Sequence, residues 1–147
     1  MPDKFSKETR SRMMSGIKNK NTRPEIMIRQ VLFRNGFRYR LHNGKLPGKP
    51  DIILKKHMAV IFIHGCFWHK HSCRYFVWPK SNTEFWKKKI NGNKLNDQKV
   101  IKELQSMGYR ICIFWECVTR DNELFLKAIK RLVKWLAGKN KFLELSI

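Results

Sequence analysis

The chain has 147 residues, and 42% of them are apolar, including ten Phe and five Trp, which is enough for one domain with a buried core and excludes extensive disorder. Its 32 Lys and Arg stand against 11 Asp and Glu, and this net charge of +21 favours a polyanionic partner, nucleic acid first and an anionic membrane surface second. No apolar run approaches the roughly 20 residues of a membrane-spanning helix, and no secretory signal peptide is visible.

The first 21 residues are basic and polar. Their apolar anchors are Phe5, Met13, Met14 and Ile17, so we expect a weak or conditional helix. Two interpretations stay open: a solvated arm whose charges face water, or an arm along a phosphate backbone that pushes Met14 between bases.

A helix is predicted to begin at Thr22, because Thr is a preferred N-cap, Pro24 suits the first turn, and Glu25 can reach back to the amide of the cap. We expect it to run to Gly36. Its expected buried residues are Ile26, Ile28, Val31, Leu32 and Phe33. Glu25 is interpreted first as a capping residue, a position compatible with a second role.

Three strands are predicted next, at residues 37–41, 51–54 and 58–63. Asp51 opens the second strand, and a carboxylate there is costly to bury unless a positive group meets it. Asp51 is therefore either a solvent-facing residue or a ligand of a divalent cation. His42 and His57 lie in predicted loops and are expected on the surface.

The third strand leads at Gly65 into a segment rich in metal-ligand chemistry. Cys66, His71 and Cys73 have a spacing that suits three ligands of a tetrahedral zinc site, and Cys117 at the end of a later strand is the candidate fourth. A site with four protein ligands is closed, so this zinc would be structural. Cys112 lies among large apolar residues and is expected in the core.

His64 ends the third strand and His69 lies between two of those candidate zinc ligands, and either is a candidate general base near a metal-bound water. Phe67 and Trp68 are adjacent, so on an extended segment they would point in opposite directions. We weigh two interpretations of this aromatic pair: a small satellite core around the zinc, or exposed rings that stack on bases.

A helix beginning at Thr83 is expected to break at residues 91–93, Asn-Gly-Asn, and to resume from Asp97 to Met107. Asp97 is interpreted as a surface charge. A strand at 109–115 and a core-packing helix at 122–137 follow. This order predicts an α/β fold with helices on both sides of a small mixed sheet, three antiparallel strands and one strand joined by a crossover.

Several motifs together resemble the very-short-patch-repair (Vsr) DNA mismatch endonucleases. The motifs are Thr9-Arg10-Ser11, Pro47-Gly48-Lys49-Pro50-Asp51, Val60-Ile61-Phe62-Ile63-His64-Gly65-Cys66-Phe67-Trp68-His69, Thr83-Glu84-Phe85-Trp86 and Trp115-Glu116-Cys117. They cover nearly the whole chain, and motifs this long do not recur by chance.

The resemblance implies a basic DNA-binding arm at 1–21 and a single restriction-endonuclease-like domain at 22–147. It implies a cytoplasmic bacterial enzyme, associated with the nucleoid, that binds double-stranded DNA as a monomer. Such enzymes bind zinc and two magnesium ions, and they nick 5′ to the T of a T:G mismatch that arises when 5-methylcytosine deaminates. Contacts with mismatch-repair proteins stay open.

By the same resemblance, Asp51 bridges the two Mg²⁺ ions and the backbone carbonyl of Ile63 is a second ligand. Glu25 and His64 hold metal-bound waters, and His69 is the general base, steadied by Asp97. The implied zinc ligands are Cys66, His71, Cys73 and Cys117, and the implied DNA-intercalating residues are Phe67, Trp68, Trp86 and Met14. Residue 63 is Ile where the best-known pattern has Thr, a departure that a backbone ligand tolerates.

Two other classes of function remain in view. A zinc-stabilised DNA-binding module without chemistry would use the basic arm and the aromatics but would have no use for the acidic and histidine residues together. A related nuclease of similar fold could instead cut both strands of its target, as a restriction enzyme does.

Overall fold

The structure is a computed structural model that describes residues 21–42 and 44–147. Its helices are α1 (Arg23–Arg34), α2 (Thr83–Ser106) and α3 (Asn122–Ala137). Its strands are β1 (Arg40–Leu41), β2 (Ile52–Leu54), β3 (Ala59–His64), β4 (Arg110–Trp115) and β5 (Phe142–Leu145). Short 3₁₀ turns lie at Lys55–His57 and Glu116–Arg120. Met14 and nearly all of the predicted arm lie outside the described residues.

The five strands form one mixed sheet in the order β1-β2-β3-β4-β5. The first three strands are antiparallel, and β4 lies parallel to β3, as the sequence predicts. Strand β5, which the sequence analysis did not predict, pairs parallel to β4 at the edge of the sheet. Its Phe-Leu-Glu-Leu alternation is the signal that was available, and Leu145 is buried.

Helix α1 begins as predicted, with the Thr22 hydroxyl accepting a hydrogen bond from the Glu25 amide at 3.5 Å. The side chain of Glu25 accepts from the amide of Asn21, one residue before the cap, rather than from Thr22. Ile28 and Leu32 are fully buried. The expectation that Ile26 and Phe33 are buried was wrong, because they face solvent with 41% and 56% of their surfaces exposed.

The predicted break at residues 91–93 was also wrong, since α2 is one continuous helix of 24 residues. Ile90 is fully buried one residue before the expected break. Asn93 donates its side-chain amide to the carbonyl of Trp68 at 3.0 Å, and Lys70 donates to the Asn91 side chain at 3.0 Å. Contacts with the segment after β3 thus outweigh the poor helix propensity of Asn-Gly-Asn.

Helix α3 has the predicted bounds and packs an apolar face against the sheet, although Leu124 is exposed. Cys112 is fully buried in β4, as expected. Strands β3 and β4 end side by side, because His64 is in register with Trp115. The segments that follow the two strands therefore meet at one end of the sheet. Among the described residues, no helix is both long and apolar enough to cross a membrane.

Candidate functional site

Asp51 lies just before β2 and beside the end of β3. Its Oδ2 accepts a hydrogen bond from the backbone amide of Ile63 at 2.8 Å, so the carboxylate takes the place of a strand partner. Burial raises the pKa of the Asp51 carboxyl to about 6 from its ordinary 3.8, opposed by the Ile63 hydrogen bond and assisted by nearby Glu25. Asp51 is therefore a half-buried group, and the interpretation of a solvent-facing strand residue was wrong.

Glu25 is 3% exposed and lies beside Asp51. Its Oε2 accepts from the guanidinium of Arg29 at 2.5 Å and lies 3.0 Å from Nε2 of His42. The prediction that His42 is a surface residue was wrong: its ring is part of a cluster with the Glu25 and Asp51 carboxylates. The sequence offered little signal for this, because the contact spans 17 positions and depends on how β1 turns into the following loop.

His69 and Asp97 form the second polar cluster. Nδ1 of His69 lies 2.5 Å from Oδ2 of Asp97, so Asp97 is not the isolated surface charge that the sequence suggested. His64 stacks on His69 with ring centroids 3.7 Å apart and planes within 2° of parallel. Burial, with His69 and His71 adding to it, lowers the pKa of His64 well below its ordinary value, and its Nδ1 is buried without a hydrogen-bond partner among the described residues.

One cleft of about 300 Å³ joins Asp51 to the histidine pair. Gly48 and Lys49 line one side, the end of β3 lines its floor, and Asn96 and Asp97 of α2 line the other. The continuity of α2 matters here, because Asp97 reaches the cleft from the helical turn that follows the predicted break.

Cys66, His71, Cys73 and Cys117 are brought together as the spacing predicted, with four ligand atoms that all lie within 4.8 Å of one another. All four cysteines of the chain are free thiols. Burial raises the pKa of the Cys66 and Cys117 thiols, so thiolates there require a compensating cation. The donor set fits a tetrahedral zinc ion.

The segment between those ligands is a tight turn rather than an extended chain. The amide of His69 donates to the carbonyl of Gly65 at 3.2 Å, and that of His71 donates to Cys66 at 3.0 Å. Phe67 and Trp68 consequently pack against each other, with centroids 5.2 Å apart, and the expectation of opposite directions was wrong. The positive φ of this segment falls at Lys70 and not at Gly65.

Trp86 of α2 completes an aromatic cluster, with its ring 5.4 Å from Phe67 and 5.9 Å from Trp68. All three side chains are partly exposed. They form a half-buried aromatic surface next to the Cys/His cluster, so the rings pack as a small satellite core, and stacking on bases stays a prediction.

Trp115 and Glu144 are two further residues of this region that the sequence analysis did not assign. Trp115 stacks on His71 at 4.0 Å and meets His64 edge-on at 5.2 Å. Glu144 accepts a hydrogen bond from the Trp115 indole at 3.1 Å. The indole thus links the Cys/His cluster to the histidine pair, and the alternation in β5 was the only hint of Glu144.

The Asp51 carboxylate and a His–Asp pair share one cleft, beside a Cys/His cluster on a strongly basic protein, and this combination suits an endonuclease, a hydrolase that acts on DNA. The family model described as DNA mismatch endonuclease Vsr matches residues 2–75. A Type II nicking enzyme of Neisseria meningitidis serogroup A, V.NmeAIP, is 43% identical over 134 residues, which is 91% of this chain and 96% of that protein.

The DNA mismatch endonuclease Vsr of Escherichia coli is 40% identical over 141 residues, which is 95% of this chain and 90% of that protein. The Type II nicking enzyme V.XorIIP of Xanthomonas oryzae is 42% identical over 121 residues, 82% of this chain and 89% of its own length. This chain belongs to the Vsr family of DNA mismatch endonucleases.

Proposed function

We propose that the protein nicks one strand of double-stranded DNA, 5′ to the T of a T:G mismatch that arises from deamination of 5-methylcytosine, and so starts very short patch repair. The observation that carries the proposal is the single cleft in which Asp51 and the His69–Asp97 pair face the same space. Three relatives support cleavage of one strand, because one is a DNA mismatch endonuclease and two are nicking enzymes.

Magnesium is the proposed catalytic ion, and the residues present fit it. Asp51 and Glu25 are neighbouring carboxylates removed from water, an arrangement that a dication stabilises. The Ile63 amide points towards Asp51, and the N–H and C=O of one strand residue point to the same side, so the Ile63 carbonyl suits a ligand role. When bound, two Mg²⁺ ions would stabilise charge on the attacking and leaving oxygens of the phosphodiester.

His69 is the proposed general base. An ionised Asp97 can only accept hydrogen bonds, so Nδ1 of His69 carries its proton toward Asp97 and Nε2 is left to take a proton from water. The stacked His64 fixes the plane of the His69 ring. His64 and Glu25 would orient water around the cation, and Nδ1 of His64, which is buried and has no hydrogen-bond partner in the described part of the chain, fits that role.

Zinc is proposed as a structural ion held by Cys66, His71, Cys73 and Cys117. It would join the segment after β3 to the 3₁₀ turn after β4, because Cys66, His71 and Cys73 lie in the first and Cys117 in the second. Holding those two segments together fixes both the aromatic cluster and the position of His69 between the ligands.

Mismatch selection is proposed to come from wedging of Phe67, Trp68 and Trp86 into the duplex on one side, with Met14 of the 1–21 arm on the other. Unstacking costs a few kcal/mol per step and costs least at a weakened pair, so the wedge favours a T:G site. The proposed enzyme acts as a cytoplasmic monomer on bacterial DNA, and its net charge of +21 supplies affinity for phosphates.

The proposal is tested with a short duplex that carries one T:G mismatch, labelled separately on each strand, in several flanking contexts with Mg²⁺. We expect a nick in the T strand alone, lost in Asp51→Ala and in His69→Ala. His57→Ala is the matched control, because His57 packs on Phe37 at 5.3 Å, away from the cleft.

Each alternative has its own outcome in that assay. Tight binding of the duplex without any cut would favour a non-catalytic binding module. Cleavage of both strands of a matched duplex would favour a restriction-type nuclease, and either result would overturn the proposal.

A further inference from the structure

The cluster of Glu25, His42 and Asp51 contains a nitrogen donor as well as carboxylates. One potential ligand atom from each residue lies within 4.8 Å of those of the other two. Nε2 of His42 lies 3.0 Å from Oε2 of Glu25, a hydrogen-bonding distance, so the imidazole lies beside both carboxylates and next to the proposed cation site at Asp51.

The backbone holds the His42 ring in this position. His42 directly follows β1, and its amide donates to the carbonyl of Asp51 at 3.3 Å. Its φ is 47°, in the left-handed region that non-glycine residues seldom adopt. The conformation accompanies a ring turned toward two buried or half-buried carboxylates.

Glu25 is held independently of His42. The guanidinium of Arg29, one turn further along α1, pairs with its Oε2, and the amide of Asn21 donates to the same oxygen. The carboxylate therefore keeps its place whether the imidazole contacts it or contacts a cation beside it. His42 is not needed to position Glu25, so its ring can contact a cation without displacing that carboxylate.

We propose that His42 is a nitrogen ligand of the catalytic cation, so that this site prefers first-row transition ions, Mn²⁺ among them, over Mg²⁺. The inference rests on the proposed function, because it concerns the same cation site beside Asp51. Mg²⁺ is a hard ion that is bound by oxygen, whereas imidazole suits Fe²⁺, Ni²⁺ and Zn²⁺. Mn²⁺ binds nitrogen most weakly of the first-row ions and also favours oxygen, but it accepts an imidazole ligand more readily than Mg²⁺ does. An imidazole beside two carboxylates thus shifts the selectivity of the site rather than its mere affinity.

The test uses the full-length protein with its zinc complement retained and Mn²⁺ as the probe. Free Mn²⁺ is titrated by electron paramagnetic resonance, Mg²⁺ affinity is measured by competition, and pulsed measurements detect ¹⁴N coupled to bound Mn²⁺. We expect ¹⁴N coupling in the wild type. His42→Gln should lose it and bind Mn²⁺ roughly tenfold more weakly, with Mg²⁺ affinity changed less than about twofold.

His57→Gln is the matched histidine control and should behave as the wild type, since its ring lies against Phe37. Persistence of the coupling in His42→Gln, or equal loss of Mn²⁺ and Mg²⁺ binding in it, would overturn the inference. Absence of imidazole coupling in the wild type would overturn it without recourse to a variant.

Asp51→Ala separates this inference from the proposed function. If both ions bind less well to Asp51→Ala but equally well to His42→Gln, the cation site stands and only the nitrogen ligand is excluded. If Asp51→Ala binds both ions as tightly as the wild type, the proposed cation site itself is wrong.

Discussion

At the scale of single residues, the cleft pairs each reactive group with a neighbour that fixes it. Asp51 accepts from the Ile63 amide, Glu25 from Arg29, and His69 lies against Asp97. These contacts do not offset the cost of burying the Asp51 charge in the absence of a cation, because the pKa of Asp51 is raised despite its backbone hydrogen bond. The arrangement thus lowers the stability of the fold but places the carboxylate in a geometry that suits ion binding.

The Asp51 carboxyl is expected to destabilise the magnesium-free fold at neutral pH. Its pKa is about 6 in the fold and 3.8 ordinarily, so the folded state binds more protons in between and loses stability as pH rises from about 4 to about 6. Asp51→Asn, which can still accept from Ile63, should raise the free energy of unfolding by about 1–3 kcal/mol at pH 7.

That gain should shrink as pH falls and vanish near pH 4, when both proteins carry a neutral group at this position. Urea unfolding of both proteins across this pH range, in magnesium-free buffer with zinc retained, measures it. A gain that is constant with pH would show that the charge of Asp51 is not its source.

Asp97→Asn is expected to lower the nicking rate without weakening DNA binding. An amide can present its oxygen or its nitrogen to His69, so it no longer enforces the tautomer that leaves Nε2 free. We expect kcat to fall roughly 100-fold, within the range that general base catalysis contributes, with KM little changed.

Glu103→Gln is the control for that variant, because Glu103 is an exposed acid on the same helix. Single-turnover nicking and fluorescence anisotropy separate the rate from the affinity. A matched loss in both variants would show that net charge on α2, rather than the His69 contact, determines the rate.

At the scale of elements, periodicity and capping signals predicted α1, α3 and three of the five strands close to their observed bounds, because each is determined mainly by its own sequence. The continuity of α2 could not be predicted in that way. Asn91 and Asn93 favour a break locally, and only the contacts with Lys70 and Trp68, which are distant in sequence, hold the helix together. The same holds for the site. The Cys/His cluster could be predicted from residue spacing and strand ends, whereas the contact of His42 with Glu25 could not, because it depends on how the fold brings distant residues together.

Gly92→Ala should therefore stabilise the protein, by about 0.5–1 kcal/mol. Gly92 lies inside α2, and a Cβ there would meet no atom within 4 Å, so the change only reduces the entropy of the unfolded chain. Gly36→Ala is the matched control and should have the opposite effect. A Cβ at Gly36 also meets no atom within 4 Å, but the φ of 85° at this position is strained for any residue other than glycine.

Thermal unfolding should show a higher Tm for Gly92→Ala and a lower Tm for Gly36→Ala. A lower Tm for Gly92→Ala would contradict a continuous helix at this position and favour the break that the sequence suggests.

At the scale of the whole molecule, lysines lie both near the cleft and far from it. Lys94 of α2 lines a groove of about 320 Å³ beside the cleft, which also contains His69 and Asp97, whereas Lys130 lies exposed on α3. Charge alone predicted a polyanionic partner from the composition. It could not predict which lysines meet that partner, because this depends on where each helix places its polar face.

The salt dependence of DNA binding shows which of these two lysines contacts phosphate. Each phosphate that a lysine neutralises releases counterions, so the logarithm of the affinity for a matched duplex falls linearly with the logarithm of salt concentration, with a slope of about −0.9 per contact. Lys94→Gln should reduce that slope by about 1, while Lys130→Gln, an equal change of charge on the other helix, should leave it unchanged. Fluorescence anisotropy at several KCl concentrations gives both slopes. If Lys130→Gln reduces the slope and Lys94→Gln leaves it unchanged, the DNA lies on the α3 face, away from the cleft. That result would be incompatible with nicking by Asp51 and His69.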